Sequence, residues 1–205
     1  MNRSFLGIVI LVLLAFGFWF VSFYLNPYNF WLEMGGAVFL LALFSLATWR
    51  TYDRLFRFWG AREVVLGLGS AAILYGIFWF GDKVVSPIFP FAEGDIASVY
   101  SNAESAPLAV IGILLVAVIG PGEEIFWRGT VQNALQDKYG GFISVGLGAL
   151  IYSLVHVWAL NLTLLLAALI CGLIWGWIYY REESLAPVII SHSVWSLMIF
   201  VIFPV

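Results

Sequence analysis

Long apolar segments recur from one end of this chain to the other. Such segments can be drawn near residues 5–24, 30–49, 64–81, 107–127, 141–159, 162–180 and 186–203. A helix that crosses a membrane needs about 20 mostly apolar residues, because the hydrocarbon core of a bilayer is roughly 30 Å thick. The pattern therefore predicts an all-α fold: a polytopic transmembrane helix bundle with about seven spans. We expect residues 1–205 to form a single membrane domain.

The composition agrees with a surface that faces lipid. Of the 205 residues, 63% are hydrophobic and only 10% are charged, whereas a soluble domain carries roughly 25% charged residues. The net charge of −3 offers no basic patch for nucleic acid, so membrane lipids are the expected partners. Cys171 is the single cysteine, which excludes a disulfide framework within the chain and a structural zinc site built from thiolates.

The positive charges predict the orientation. With the N-terminus inside the cell, only Lys83 falls outside. The cytoplasmic side then holds Arg3, Arg50, Arg54, Arg57, Arg62, Arg128, Lys138 and Arg181. This bias follows the positive-inside rule and predicts an N-in, C-out topology. The first apolar segment lacks a small-residue cleavage site, so we expect a true span and not a signal peptide.

Two segments between spans have their own predicted roles. Residues 50–63 alternate arginines with large apolar residues, a pattern typical of a short helix in the headgroup layer. The acidic segment 82–104 holds two prolines and is expected to form an ordered external cap or a partly re-entrant segment. Gly172 and Gly176 have the small-xxx-small spacing that lets helices approach closely, which we interpret as packing inside one subunit.

Few ionisable residues remain at membrane depth, where each charge costs on the order of 2.5–3.5 kcal/mol on insertion scales. Glu124 and Arg128 are four residues apart, so they share a helix face and can form an ion pair. Glu123 is rotated by about 100° from Glu124 and is left free to act as a general base. The alternative is that both glutamates are interfacial residues held by Arg128. The chain's two histidines, His156 and His192, lie in different spans.

These residues resemble the motifs of the CPBP family of intramembrane endopeptidases, which includes the CAAX-processing proteases and the bacterial Abi group. The family's Glu-Glu-x-x-x-Arg motif is seen as Glu123-Glu124-Ile-Phe-Trp-Arg128. Its Phe-x-x-x-His motif is seen as Tyr152-Ser-Leu-Val-His156, and its His-x-x-x-Asn/Asp motif as His192-Ser-Val-Trp-Ser196. The resemblance covers residues 106–203, the expected catalytic core, and leaves residues 1–105 as N-terminal spans with the interfacial helix.

The resemblance implies an intramembrane endopeptidase, with a CAAX-type prenyl-protein substrate as one possibility. Glu123 and His156 would hold and activate a water, with Tyr152 beside His156. Glu124 would be tied to Arg128 as support. His192 and Ser196 would stabilise the oxyanion. No cofactor is needed for this chemistry, but the alternative is a zinc site with Glu123, His156 and His192 as its three ligands and one open position.

Ser196 is the main departure from the family pattern, because a hydroxyl reaches less far than an amide and offers one donor instead of two. A non-catalytic protein of the same fold, an immunity or scaffold factor, is therefore an alternative. A proton-coupled transporter is another, since membrane Glu and His residues also relay protons, although no internal repeat is found. The peptidase would act on a peptide or lipidated protein. We expect a prokaryotic plasma membrane and an active site nearer the cytoplasmic side.

One geometric difficulty follows from the drawn spans. Glu123 and His192 fall near the cytoplasmic ends of their segments, whereas His156 falls near the outer end of its own. With a rise of 1.5 Å per residue, straight helices would place His156 more than about 10 Å in depth from Glu123 and His192. A shared site therefore requires that the fourth span runs deeper than drawn, with Pro121-Gly122 as a kink, or that the fifth span is tilted or sunk.

Overall fold

The computed structural model describes residues 3–48 and 59–205. In this part of the chain every regular element is a helix. The helices are α1 (Arg3–Trp19, continued by wider turns over Phe20–Leu25), α2 (Phe30–Thr48), α3 (Ala61–Phe80), α4 (Pro90–Ser101), α5 (Leu108–Tyr139), α6 (Gly141–Leu154, continued over Val155–Ala159), α7 (Leu162–Glu182) and α8 (Ala186–Leu197, continued over Met198–Ile202).

The predicted polytopic helix bundle is confirmed. In the described ranges, six helices are long and apolar enough to cross a membrane, namely α1, α2, α3, α5, α6 and α7. The seventh predicted span corresponds to Ala186–Ile202, which is apolar but shorter. Large apolar side chains point outwards, among them Leu13, Phe39 and Ile73, as expected for a surface in contact with lipid. The chain is an integral membrane protein, and the number and orientation of its spans remain predictions.

Helix α5 corrects the drawn boundaries of the fourth span. The span was drawn over residues 107–127, but the helix runs from Leu108 to Tyr139. Glu123 therefore lies in the middle of a long helix, not near its end. A wider, π-type turn over Leu115–Ile119 precedes Pro121, whose missing N–H interrupts the α-helical pattern. The extra length removes the predicted gap in depth between Glu123 and His156.

The short gap between the predicted spans 141–159 and 162–180 requires a tight hairpin, and the structure has one there. Leu160 adopts a left-handed conformation with φ 51°, which reverses the chain. The Asn161 side chain then accepts a hydrogen bond from the Leu164 N–H at 2.7 Å and caps α7. Farther along α7, a Cβ at Gly172 would lie 3.0 Å from the Ala149 Cα atom. Glycine thus lets α7 pack closely on α6 within one subunit.

The segment 82–104 forms a cap over one end of the bundle, built around α4. The Asp95 carboxylate accepts from the Thr163 N–H at 2.9 Å, and its carbonyl accepts from the Asn161 side chain at 2.7 Å. The Tyr100 hydroxyl donates to the Ile199 carbonyl at 2.8 Å. Burial raises the pKa of Tyr100, so the phenol remains protonated and able to donate. These bonds attach α4 to the start of α7 and the end of α8.

The predicted interfacial helix over residues 50–63 falls mainly outside the described residues. Its final part begins α3, where the Glu63 carboxylate accepts from the Gly60 N–H at 3.0 Å. Arg62 forms an ion pair with Glu182 at the end of α7, which joins α3 to α7 at the end of the bundle opposite the α4 cap.

The orientation can be tested by labelling single cysteines in a Cys171→Ala background. Ser98 lies exposed on α4, and Asp137 lies exposed near the end of α5. For an N-in, C-out protein, a membrane-impermeant maleimide should label Ser98→Cys in intact cells, and Asp137→Cys only after permeabilisation. The reverse pattern would contradict the predicted topology, and loss of both signals in folded protein would contradict the exposure of these sites.

Candidate active site

A cavity of about 190 Å³ lies inside the bundle. Its walls come from the continuation of α1, from α2, from α3 and from α5–α8, and α4 contributes Ile96, Val99 and Tyr100. Most of the lining is aromatic or aliphatic. The cavity brings together the predicted site residues Glu123, Tyr152, His156, His192 and Ser196. Residues that are up to 73 positions apart in the sequence therefore converge on one buried space.

Glu123 is the carboxylate that faces the cavity. Its side chain is 4% exposed, and its Oε2 atom is buried without a hydrogen-bond partner. Tyr152 and His192 lie close enough to interact with the carboxylate. A buried carboxylate oxygen with no protein donor has a lone pair available for a water or substrate group. Glu123 therefore has the environment of a proton acceptor.

Glu124 holds two cationic or potentially cationic side chains. The Arg128 Nη1 atom donates to Glu124 Oε1 at 3.0 Å, the ion pair expected from the spacing of four residues. The same oxygen accepts from His192 Nδ1 at 2.8 Å. Because an ionised carboxylate can only accept hydrogen bonds, Nδ1 of His192 carries a proton. Glu124 thus fixes the orientation of His192 as well as Arg128, which the sequence spacing did not indicate.

Trp175 supports His192 and Arg128 from α7. Its indole ring stacks on the His192 imidazole with centroids 4.0 Å apart and an interplanar angle of 17°. The Arg128 guanidinium lies over the same indole at 5.4 Å and over the Tyr152 ring at 4.7 Å. The indole Nε1 donates to Ser191 Oγ at 3.0 Å. The His192 ring is therefore held both at its edge, by Glu124, and on its face.

His156 has a partner at each ring nitrogen. Nδ1 lies 2.9 Å from the Tyr152 carbonyl oxygen, which can only accept, so Nδ1 must carry the proton. Nε2 lies 3.2 Å from the indole Nε1 of Trp19, which can only donate. His156 is therefore a neutral imidazole with its proton on Nδ1. A water or a metal ion can use Nε2 only in place of the Trp19 N–H.

The alternative zinc site can be tested against these contacts. Glu123 offers a free oxygen, and His192 has Nε2 left after Nδ1 binds Glu124. The lone pair of His156 Nε2 is occupied by Trp19, so three free donors are not presented together. Over residues 3–48 and 59–205, no group of three or more His, Cys, Asp and Glu side chains is arranged to hold a metal ion. A zinc ion at these three residues would have to displace the Trp19 N–H from His156 Nε2, and the choice between zinc and metal-free chemistry stays a prediction.

Sequence reasoning missed two residues that shape the site, Trp19 and Trp175. Both are fully buried and both contact a site histidine. Trp175 lies between Gly172 and Gly176, but its side chain contacts Arg128 on α5 and His192 on α8, and the glycine spacing did not indicate those contacts. Trp19 lies 137 residues before His156 in a segment that reads as an ordinary span, and no local pattern marks it.

Comparison with known proteins adds to this geometry. Residues 105–198 match the family model described as Rce1-like type II CAAX prenyl endopeptidase. All three motifs lie inside the matched segment. No curated protein and no solved structure matches the chain. The family match confirms the resemblance to the CAAX-processing endopeptidases and supports an intramembrane endopeptidase of the CAAX type.

Proposed function

We propose that this membrane protein, a relative of the CAAX prenyl endopeptidases, hydrolyses a peptide bond inside the bundle with a water activated by Glu123. One observation carries the proposal. The Glu123 carboxylate, whose Oε2 atom has no hydrogen-bond partner, shares a cavity with His156, His192 and Ser196. A base, two oriented imidazoles and a hydroxyl at one space are the groups that amide hydrolysis needs.

The placement of these groups supports the following reaction. The water gives a proton to Glu123 as its oxygen attacks the carbonyl carbon of the scissile amide, and His156 Nε2 accepts the second O–H of that water. The tetrahedral oxyanion receives a hydrogen bond from the Ser196 hydroxyl, and His192 donates a second one from Nε2 when that nitrogen carries a proton, while its Nδ1–H stays on Glu124. Glu123 then passes its proton to the leaving amine as the C–N bond breaks.

The lining of the cavity supports a lipid-modified substrate. Away from Glu123 the walls are formed by apolar and aromatic side chains, including Phe30, Trp31 and Phe200. Such walls favour an apolar chain over a charged or strongly polar peptide. A short C-terminal peptide beside a prenyl group is therefore the substrate class we propose. The description of the matching family points in the same direction.

The proposal is tested by incubating the purified protein in detergent with a mixed peptide library and a farnesylated CAAX peptide. Mass spectrometry identifies the new termini, with and without a chelator. We expect cleavage that the chelator does not change, because Glu123 activates the water directly. Loss of cleavage with the chelator would favour the zinc alternative, and intact peptides in every arm would contradict the peptidase.

A second candidate function is a non-catalytic member of the same fold, and Ser196 is the observation that favours it. Ser196 lines the cavity where the family pattern has asparagine or aspartate.

For the proposed peptidase, we expect Ser196→Asn to raise kcat by about tenfold. One oxyanion donor is typically worth about 10²–10³ in rate, and the serine hydroxyl supplies part of that contribution.

The matched variant is Ser196→Ala, which removes the remaining donor. It should lower kcat below that of the wild type and leave KM nearly unchanged, as for an interaction made in the transition state. Equal rates for Ser196→Ala and the wild type would show that the hydroxyl does not contact the oxyanion. Initial rates on the peptide found by mass spectrometry measure both variants.

We further propose a prokaryotic plasma membrane as the location, with a site reached from the cytoplasmic side or from the bilayer. Membrane lipids and the substrate are the partners that this function requires. The labelling experiment on Ser98 and Asp137 bears on the side of access, because α4 lines the cavity at one end of the bundle.

A further inference from the structure

Trp19 reaches the site from α1, which lies outside the segment that matches the family. Its side chain is completely buried. Its indole ring meets the His156 imidazole edge-on, with centroids 5.9 Å apart and an interplanar angle of 85°. The Nε1–H of Trp19 is directed at His156 Nε2 over 3.2 Å. Trp127 also packs edge-on against the Trp19 ring, with centroids 6.1 Å apart.

The two contacts of His156 act on opposite edges of its ring. The Tyr152 carbonyl accepts from Nδ1 at 2.9 Å, and the Trp19 N–H donates to Nε2. One hydrogen bond alone would leave the ring free to turn about its bond to the backbone. Two bonds from opposite sides fix both the ring plane and the tautomer.

We propose that Trp19 is a positioning residue that holds His156 with its proton on Nδ1 and a bare, hydrogen-bond-accepting Nε2. The role rests on the proposed function, in which Nε2 accepts from the attacking water. The indole N–H satisfies this buried acceptor, which would otherwise carry a desolvation cost. The water takes the place of the indole N–H, and the ring does not have to turn.

The inference assigns a part of the site to the N-terminal half of the chain. The helix α1 then does more than anchor the protein, because it supplies the group that orients a site histidine. A segment that contains the three motifs but lacks α1 would have an unsatisfied Nε2 at His156. Trp19 acts through His156 and does not touch the reacting atoms.

The test compares Trp19→Phe with Trp127→Phe in the full-length protein. Phenylalanine keeps an aromatic ring and removes the N–H. Trp127 is the matched control, since it is equally buried, contacts the same cluster and has an indole Nε1 without a hydrogen-bond partner. Thermal unfolding in detergent shows that both variants are folded before they are compared.

The first measurement is the ¹⁵N NMR spectrum of protein whose histidines are labelled with ¹⁵N. The chain has only two histidines, so the spectrum contains signals from two imidazole rings. We expect one ring with a protonated Nδ1 and a bare Nε2 for His156 in the wild type. In Trp19→Phe the Nε2 signal should move towards the position of an imidazole nitrogen without a donor, and in Trp127→Phe it should not move. A protonated Nε2 in the wild type, or an Nε2 signal unaffected by Trp19→Phe, would overturn the proposal.

The second measurement is the rate of peptide cleavage. Trp19→Phe should lower kcat by about tenfold to 10²-fold with little change in KM, the range expected when a catalytic group loses its alignment. An equal loss in Trp127→Phe would mean that only packing matters and would overturn the proposal. A wild type that cleaves nothing contradicts the proposed function, while the ¹⁵N spectrum still decides whether Trp19 holds the ring.

Discussion

Replacement of Glu123 by glutamine is expected to lower kcat by about 10²–10⁴, the contribution typical of a positioned general base. Glutamine has the same size and shape, so the cavity keeps its form. The buried Oε2 atom of Glu123 has no hydrogen-bond partner, and its replacement therefore breaks no contact at that atom. What is lost is the capacity to take a proton from the water. KM should change little, because the carboxylate acts on the water and not on the bound peptide.

Glu33→Gln is the matched control for this result. Glu33 also lies on a membrane helix and also has a buried Oε2 atom without a partner, but it does not line the cavity. Its Oε1 accepts from the Tyr28 N–H at 2.8 Å, a bond that glutamine can keep. Glu33→Gln should cleave like the wild type. Equal rates for Glu123→Gln and the wild type would remove Glu123 from the mechanism.

Glu124→Gln is expected to produce the largest loss of stability. Arg128 is 2% exposed, and Glu124 is completely buried. The neutral side chain would leave the guanidinium charge inside the bundle without a counter-charge, and breaking such a pair typically costs about 3–5 kcal/mol of unfolding free energy. The variant should also lose activity, because Glu124 orients His192. Thermal unfolding and cleavage rates in the same detergent measure the two effects.

The ion pair between Arg62 and Glu182 supplies the comparison. Arg62 is largely exposed, so solvent screens its charge, and Glu182→Gln should leave the unfolding temperature nearly unchanged. The double variant Glu124→Gln with Arg128→Met should recover part of the stability lost in Glu124→Gln, because it removes the unpaired charge. If Glu124→Gln unfolds at the same temperature as Glu182→Gln, the buried pair does not stabilise the fold.

The sequence predicts well those features that depend on local spacing. Hydropathy located the long apolar helices in the part of the chain that the structure describes, and the spacing of four residues paired Glu124 with Arg128. The turn at Leu160–Leu162 followed from how little chain separates two apolar segments. Each of these features involves residues close together in the chain, where helix geometry alone fixes the neighbours.

The end of α5 shows where hydropathy fails. The apolar segment stops at Trp127, but the helix continues because its polar side chains find partners inside the protein. Arg128 is paired with Glu124, and Gln132 Nε2 donates to the Gly176 carbonyl at 2.8 Å. Buried polar groups that are satisfied can extend a membrane helix. The position of Glu123 at mid-helix could not be predicted from composition.

Contacts between helices that are distant in the chain could not be predicted from the sequence either. His192 binds Glu124 across 68 positions, and Trp19 binds His156 across 137. These contacts depend on how the helices pack, which one sequence does not specify. The candidate site residues could be predicted only as separate motifs, and the groups that orient them became visible once the helices were assembled.

The most direct test of the central claim is cleavage in water enriched in ¹⁸O. The wild type is incubated with the farnesylated CAAX peptide and the peptide library, and mass spectrometry reads the products. Hydrolysis by an activated water predicts a new C-terminal carboxylate that carries one ¹⁸O atom, formed by the wild type and almost absent with Glu123→Gln. Peptides that remain intact, or products that form equally with Glu123→Gln, would contradict an intramembrane endopeptidase that uses Glu123.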